Sequence, residues 1–160
     1  MATKKTVSRA SDIKIARGKI GFTVVQTYRA PMKKIWEAAT KAEHLQKHFV
    51  DKVRGDFNEK FETVFWTFAG HGEFPLYPVA YAQNKFFEFY WQLYGSKDKY
   101  SLVRFEFSEK DGLVTLKISE SGWSQDLLPR AFDNCNGWSE FLMTLKAYVL
   151  YGKDLRTKKK

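Results

Sequence analysis

The sequence predicts an α+β domain in which a curved antiparallel sheet wraps around one long C-terminal helix. Between residues 51 and 120, apolar and polar residues alternate with a period of two in runs separated by short polar turns, which is typical of hairpin-joined strands. From residue 125 to 151 the apolar residues recur at intervals of three and four, which is typical of an amphipathic helix. Because such a helix cannot bury its apolar stripe alone, we expect it to lie across the sheet in a helix-grip arrangement.

The predicted elements follow one another in a simple order. An alternating strand over residues 20–27 leads to a helix at about 31–40, because Pro31 suits the first turn of a helix, where its missing N–H costs nothing. A short second helix is expected at 42–48. Six strands and the long helix complete the fold. The six strands are predicted at 51–57, 60–68, 73–83, 86–94, 100–108 and 113–120, and the helix at 125–151.

Turn residues and prolines punctuate the strands. Asn58-Glu59 is expected to join the first two of the six strands, and Asp111-Gly112 predicts a hairpin because both positions tolerate a positive φ angle. Pro75 and Pro78 interrupt the third of these strands. Since proline lacks a backbone N–H donor, this strand is expected to lie at a sheet edge or to contain a bulge.

The long helix carries an apolar stripe and one unusual glycine. Gly137 costs about 1 kcal/mol relative to alanine in a helix interior, so its presence indicates either close packing or room for something beside the helix. Gly152 fits a C-terminal cap. The predicted stripe consists of Phe132, Cys135, Trp138, Leu142, Leu145 and Val149.

The net charge of +9 comes from the two ends of the chain. Residues 1–19 and 153–160 hold the whole basic excess, whereas residues 20–152 balance acidic against basic side chains. A nucleic-acid-binding domain normally carries its positive charge on a folded face, so no specific nucleic-acid partner is expected. We predict a flexible basic lead-in at 1–18, a single domain at 19–152 and a basic tail at 153–160.

Composition narrows the class of protein. Of the 160 residues, 44% are hydrophobic and 17% aromatic, which excludes a disordered chain. The one cysteine, Cys135, cannot form an internal disulfide, and no apolar stretch follows the basic N-terminus as it would in a secretory signal. No apolar run approaches the roughly 20 residues that span a bilayer. We therefore expect a cytoplasmic protein without membrane insertion.

Two segments of the chain resemble START-like (SRPBCC) domains. Residues 29–49 read RAPMKKIWEAATKAEHLQKHF, which is similar to the opening of these domains, although the family usually has Trp where Phe49 stands. Residues 136–148 read NGWSEFLMTLKAY and resemble the final helix of one branch, the homologues of the activator of the heat-shock protein ATPase. The resemblance spans about 20–152, so the predicted domain at 19–152 is identified as START-like.

The resemblance implies a hydrophobic ligand cavity between the long helix and the sheet. Relatives bind lipids, sterols, polyketides or hormones, and a minority catalyse cyclisation or aromatisation. Because one fold hosts many functions, the family does not name the ligand. A lipid-like or polycyclic molecule is the expected class.

Residues of the strand faces and of the helix stripe are the expected lining of this cavity. The alternative is a filled core, because aromatic rings also pack well against one another. Glu120 has the same parity as Leu116 and Ile118, so it is expected to point inward, where a carboxyl group is costly unless it is paired. The predicted ligand-binding residues are Trp66, Phe89, Trp91, Phe105, Leu116, Glu120, Trp138, Leu142 and Leu145.

Three histidines and the cysteine are weaker candidates. His44 and His48 stand four residues apart, but the third ligand and the residue order of a helical zinc site are missing. A solvated helix face explains the pair, and neither a metal nor a cofactor is expected. His71, between two glycines, is placed in a loop, where it can hydrogen-bond a ligand carbonyl, although a lone loop histidine is more often simply exposed to solvent. Cys135 is more typical of a buried structural thiol than of a nucleophile.

Three functions follow, in order of preference. The first is a binding module for a small hydrophobic ligand. The second is a chaperone-associated or stress-linked interaction protein with a filled core. The third is a cyclase- or dehydratase-type enzyme, which needs an ionisable residue with a perturbed pKa inside the cavity. The expected partner is the small hydrophobic ligand, with a chaperone and a second copy of the chain as further candidates.

Overall fold

The computed structural model describes residues 18–93 and 99–157, so most of the predicted lead-in and the last three residues of the tail lie outside the described residues. None of the helices in these two ranges combines the length and hydrophobicity that crossing a membrane requires. The elements are β1 (Ile20–Tyr28), α1 (Met32–Thr40), α2 (Ala42–His48), β2 (Lys52–Arg54), β3 (Val64–Phe68), β4 (Gly72–Ala82), β5 (Phe86–Gln92), β6 (Tyr100–Lys110), β7 (Leu113–Trp123), a 3-10 turn (Gln125–Leu127) and α3 (Leu128–Tyr151).

The seven strands form one antiparallel sheet in the order β1-β7-β6-β5-β4-β3-β2. Strands β2 to β7 follow the order of the chain, while β1 closes the other end of the sheet beside β7. On the inner face, Phe89 lies opposite Val103, and Phe105 lies opposite Ile118. All four side chains are fully buried. The predicted α+β helix-grip fold, with two short helices after the first strand and a long helix at the end, is confirmed.

The strands β2 and β3 are shorter than the sequence predicts. The sequence predicts strands at 51–57 and 60–68, joined by a turn at Asn58-Glu59. In the structure β2 ends at Arg54 and β3 begins at Val64, so residues 55–57 and 60–63 are not part of a strand. Gly55 has a φ angle of 89°, a conformation that ends the strand and favours glycine. The chain then turns toward the helices, where Asp56 Oδ1 accepts a hydrogen bond of 2.6 Å from the first backbone N–H of α2.

Two sequence signals for local backbone structure are confirmed. The pairing of β4 with β5 shifts its register between Pro78 and Ala80, which is the predicted bulge. The turn between β6 and β7 has positive φ angles of 53° at Asp111 and 74° at Gly112. These angles are typical of a two-residue hairpin turn.

Helix α3 buries a stripe that differs from the predicted one near its start. Phe132 was expected in the stripe, but 65% of its surface is exposed. Ala131 packs beside Trp123 instead, and this orientation turns Phe132 outward. Phe141, which the prediction omitted, is fully buried, whereas Cys135 is only half-buried rather than the expected buried thiol.

Aromatic rings fill the space between the helices and the sheet. Trp36 of α1 packs edge-on against Phe87 and Phe107, with ring centroids 5.8 and 4.9 Å apart. Tyr28, at the end of β1, donates a hydrogen bond of 2.9 Å to the backbone carbonyl of Leu142 in α3. This bond ties the edge strand to the long helix across the core. Under α1, the helix and the sheet are therefore joined by closely packed aromatic rings.

Candidate functional site

A cleft of about 980 Å³ opens beside α3. Its walls come from strands β3 to β5, from one side of α3 and from the segment that follows α3. Small-molecule sites typically enclose roughly 300–1,000 Å³, so the cleft has room for a drug-sized molecule. The lining residues are Phe49, Trp66, Phe68, His71, Phe74, Trp91, Gln92, Arg130, Asp133, Asn134, Gly137, Trp138, Glu140, Met143, Thr144, Leu155, Arg156 and Thr157.

The sheet side of the cleft is a wall of aromatic rings. Trp91 of β5 stacks on Phe74 of β4, with centroids 6.0 Å apart and ring planes inclined by 23°. Trp91 also meets Trp138 of α3 edge-on at 5.9 Å, and Trp66 of β3 meets Trp138 at 6.3 Å. Trp66 is fully buried and Trp138 nearly so, and the half-buried rings of Phe74 and Trp91 are the accessible part of this wall. The wall is therefore suited to a flat apolar molecule.

Gly137 creates the space on the helix side of the cleft. A methyl group at this position would meet no neighbouring atom within 4 Å. Of the two alternatives that the sequence left open, close packing and room beside the helix, the structure shows room. The absence of a side chain at this point of α3 leaves the cleft open between Asn134 and Trp138.

Behind the Trp138 ring lies a buried carboxyl group that holds two cleft residues in place. Glu120 of β7 is fully buried, in agreement with the inward orientation expected from its parity. Its Oε2 accepts a hydrogen bond of 2.7 Å from the indole N–H of Trp138. Its Oε1 accepts one of 2.5 Å from the Ser101 hydroxyl, and the Asn134 amide lies 3.1 and 3.3 Å from the two oxygens. These bonds give the buried carboxyl the partners that it needs.

Burial raises the pKa of Glu120, because removal from water penalises the charged carboxylate, while the hydrogen bonds from Ser101, Trp138 and Asn134 act in the opposite direction. The geometry accommodates the neutral acid. Its proton then lies on the oxygen that faces Ser101, and the Ser101 hydroxyl donates onward to the backbone carbonyl of Trp91, 3.4 Å away. In both protonation states, Trp138 and Asn134 act as donors to Glu120.

The third wall is the segment after α3, and Arg156 anchors it. The guanidinium donates hydrogen bonds of 2.8 Å to the backbone carbonyls of Val50 and Gln46, at the end of α2, and also pairs with Asp154 at 2.8 Å. These bonds hold residues 153–157 across the end of α2. Leu155 lines the cleft from this segment with 55% of its surface exposed.

The structure divides the predicted ligand-binding residues into three groups. Trp66, Trp91 and Trp138 line the cleft, and of the three Trp91 is half-buried, whereas Trp66 and Trp138 also belong to the buried core cluster. Glu120 is buried behind Trp138 and reaches the cleft through its hydrogen bonds. The other five predicted residues are fully or almost fully buried in the core cluster: Phe89, Phe105, Leu116, Leu142 and Leu145.

Sequence reasoning missed several residues of the cleft. Phe74 of β4, Asn134 of α3 and the segment after Gly152 were not predicted as parts of a site. Asn134 and Gly137 precede Trp138 by four and one residues, so all three share one side of the helix. The unusual glycine at position 137 could therefore have indicated that Asn134 lines the cleft. The contribution of the segment after α3 depends on its tertiary contacts, and the sequence carries no signal for it.

The histidine pair is not a solvated helix face. His48 is fully buried, and its Nε2 donates to the Ala38 carbonyl at 2.9 Å. Burial lowers the pKa of His48 to about 4. The Nδ1 of His44 lies 2.7 Å from the Tyr148 hydroxyl of α3. In residues 18–93 and 99–157 no group of three or more His, Cys, Asp or Glu side chains is placed to hold a metal ion.

Comparison with known proteins identifies relatives of the fold. The sequence model of the family described as "Activator of Hsp90 ATPase homolog 1-like protein" matches residues 29–150. No curated protein matches the chain.

Solved structures of low sequence identity share the architecture. Protein MLL2253 from Mesorhizobium loti is 20% identical, with a TM-score of 0.74 over 85% of this chain and 100% of that one. The Aha1 dimer from Colwellia psychrerythraea is 18% identical, with a TM-score of 0.70 over 84% of this chain and 98% of that one. DynU16, a protein of the dynemicin biosynthetic locus, is 18% identical, with a TM-score of 0.73 over 86% of this chain and 49% of that one.

Proposed function

We propose that this chain, which belongs to the family of Activator of Hsp90 ATPase homolog 1-like proteins, binds a small hydrophobic molecule in the cleft between α3 and the sheet. The observation that carries the proposal is the cleft of about 980 Å³ with aromatic rings along one wall. Burial of apolar surface contributes about 25 cal/mol per Å² to the binding free energy, before the entropy cost of immobilising the ligand is subtracted. A ligand with several fused rings would therefore bind mainly through the apolar surface that it buries in the cleft.

The arrangement of polar groups supports the proposal. Apolar side chains of β3, β4 and β5 form the sheet wall, whereas Arg130, Asp133, Asn134 and Glu140 lie along the helix wall. A site with an apolar body and a few polar groups is typical of small-molecule recognition, because the polar groups fix the orientation of the ligand. The ligand class that fits is flat and polycyclic rather than a flexible chain, since ring faces make up the sheet wall.

The experiment is a titration with the fluorescent probe 1-anilinonaphthalene-8-sulfonate. In Gly137→Leu the new side chain extends into the open cleft, and we expect the probe to bind at least tenfold more weakly than to the unchanged protein. Gly137→Ala adds one methyl group and serves as the matched control, with affinity within about threefold of the unchanged protein. Fold-changes of this size correspond to differences of roughly 1.4 kcal/mol and less.

A second control separates the cleft from exposed apolar surface. Phe132 lies on the same helix, is exposed and does not line the cleft. Phe132→Ser should therefore leave probe binding unchanged. Equal binding to the unchanged protein and to Gly137→Leu, or loss of binding in Phe132→Ser alone, would contradict the proposal.

A chaperone-associated function is the second candidate. Membership of the Activator of Hsp90 ATPase homolog 1-like family and the structural likeness to Aha1 favour it. Because Aha1 from Colwellia psychrerythraea is a dimer, a second copy of this chain is a further candidate partner. Capture of Hsp90 by the tagged protein, compared with capture by a charge-matched control protein, tests whether the chaperone is a partner. Light scattering tests the dimer, and a monomer at all concentrations would argue against it.

A further inference from the structure

The amide of Asn134 has a fixed orientation at the wall of the cleft. Its nitrogen faces both oxygens of Glu120, at 3.1 and 3.3 Å. An ionised Glu120 accepts hydrogen bonds only, so it requires the amide NH2. In a neutral Glu120, Oε2 still accepts from the Trp138 N–H, which can only donate, so the proton belongs on Oε1; directed to the Ser101 hydroxyl, it leaves the remaining lone pairs of both oxygens to accept from the NH2 of Asn134. The orientation is therefore the same in both protonation states.

This orientation leaves the carboxamide oxygen of Asn134 as the free end of the side chain. Within residues 18–93 and 99–157, this oxygen has no hydrogen-bond partner, and it is not among the buried polar atoms that lack one. Asn134 is half-buried and lines the cleft next to the space left by Gly137. The accessible acceptor therefore lies beside the open volume of the cleft.

Resting on the proposed function, we infer that the ligand is a flat apolar molecule with a hydroxyl or N–H group that donates a hydrogen bond to Asn134 Oδ1. Glu120 acts as the positioning residue, because it turns the amide so that an acceptor faces the cleft. The same carboxyl holds the Trp138 indole at 2.7 Å, so one buried group orients both the polar and the aromatic contact. A ligand of the same shape without a donor leaves this acceptor unpaired on binding.

The test compares two probes of one ring system, 2-naphthol, which has a hydroxyl donor, and 2-methoxynaphthalene, which has none. Near neutral pH we expect the unchanged protein to bind 2-naphthol about fivefold to tenfold more tightly, as one neutral hydrogen bond predicts. In Asn134→Leu, which keeps the shape and removes the acceptor, the ratio of the two affinities should fall to within twofold of unity. Asn136→Leu, an exposed change on the same helix outside the cleft, should keep the preference.

A glutamine substitution tests the role of Glu120. In Glu120→Gln the oxygen must face the Trp138 N–H, so the NH2 takes the place of Oε1, 3.1 Å from the Asn134 nitrogen, and cannot accept a hydrogen bond from it. The Asn134 amide should then turn its oxygen toward this NH2, and the preference for 2-naphthol should fall to within twofold of unity; a preference retained in Glu120→Gln would contradict the positioning role. Equal binding of both probes to the unchanged protein, or a preference that survives in Asn134→Leu, overturns this inference while the proposed function stands. If neither probe binds the unchanged protein at saturating concentration, both the proposed function and this inference are overturned.

Discussion

Two buried titratable side chains with different roles stand at opposite ends of the space under α3. Glu120 holds cleft residues, and His48 joins α2 to α1 and to α3. Burial disfavours the charged form of each, so it raises the pKa of the carboxyl and lowers that of the imidazole. Their contributions to folding stability therefore depend on pH in opposite directions.

For Glu120, the stabilising contribution is present below pH 4.5, its ordinary pKa, and is lost as the pH rises through the raised pKa of the folded state. We predict that the free energy of unfolding of the unchanged protein, minus that of Glu120→Gln, decreases as the pH rises above 4.5. Urea unfolding of both proteins at several pH values measures this difference. A difference that grows with pH would mean that the three donors outweigh the loss of solvation.

For His48, the folded-state pKa lies at about 4, below the ordinary value of 6.5. The stabilising contribution of the neutral ring is complete above pH 6.5 and is lost as the pH falls toward 4. Relative to His48→Gln, the unchanged protein should lose about 3 kcal/mol of stability over this window, from the size of the shift in pKa. The same urea series measures it, and a difference that does not change with pH would contradict the buried neutral imidazole.

The aromatic residues of the cleft show what could be predicted residue by residue. Trp66, Trp91 and Trp138 follow from strand parity and helix spacing, and so does the inward orientation of Glu120. Phe105 has the same parity signal, yet it meets other rings in the core. Parity tells which side of the sheet a residue faces, whereas the position of the helix decides whether it meets open space or another side chain.

At the scale of the elements, two glycines of α3 have opposite effects on stability. Gly137 lies within the helix with open space around it, and Gly152 caps the helix with a φ angle of 63°. Gly137→Ala should stabilise the protein by about 1 kcal/mol, because alanine is the better helix former. Gly152→Ala should destabilise it by roughly 1 kcal/mol, because a side chain is strained in the left-handed conformation.

Thermal and urea unfolding of the two alanine variants checks this pair, and each variant serves as the control for the other. If both substitutions destabilise the protein, the space beside Gly137 is not open. If both substitutions stabilise the protein, the left-handed backbone conformation at residue 152 does not disfavour a side chain there.

The order and type of the elements could be predicted because they depend on local patterns. Period-two runs gave the strands β1 and β4 to β7, and helical spacing gave α1, α2 and α3. The ends of β2 and β3 could not be predicted in this way. There the chain leaves the sheet at Gly55, and Phe57 packs into the core against Phe87 and Phe89 of β5, residues distant in sequence.

At the scale of the whole molecule, the space under α3 consists of two regions. Beneath the middle of the helix it is a core of packed rings centred on Phe105, which contacts Phe87, Trp138 and Phe141. Toward β3 and β4, α3 and the sheet move apart, and the cleft begins there at Phe74 and Trp91. Trp138 belongs to both regions, so the core supports the ring that the ligand is expected to contact.

This division predicts that stability and ligand binding separate under the same substitution at two sites. Phe105→Leu, in the fully buried core, should lower the free energy of unfolding by roughly 1 to 2 kcal/mol and leave the affinity for the fluorescent probe within about twofold. Phe74→Leu, at the half-buried rim, should change stability by less than about 0.5 kcal/mol but weaken the probe two- to tenfold, because it removes one ring face from the wall. Urea unfolding and probe titration on both variants measure the two quantities. If Phe105→Leu weakened the probe as much as Phe74→Leu did, the ligand would enter the core, and the boundary between the two regions would lie elsewhere.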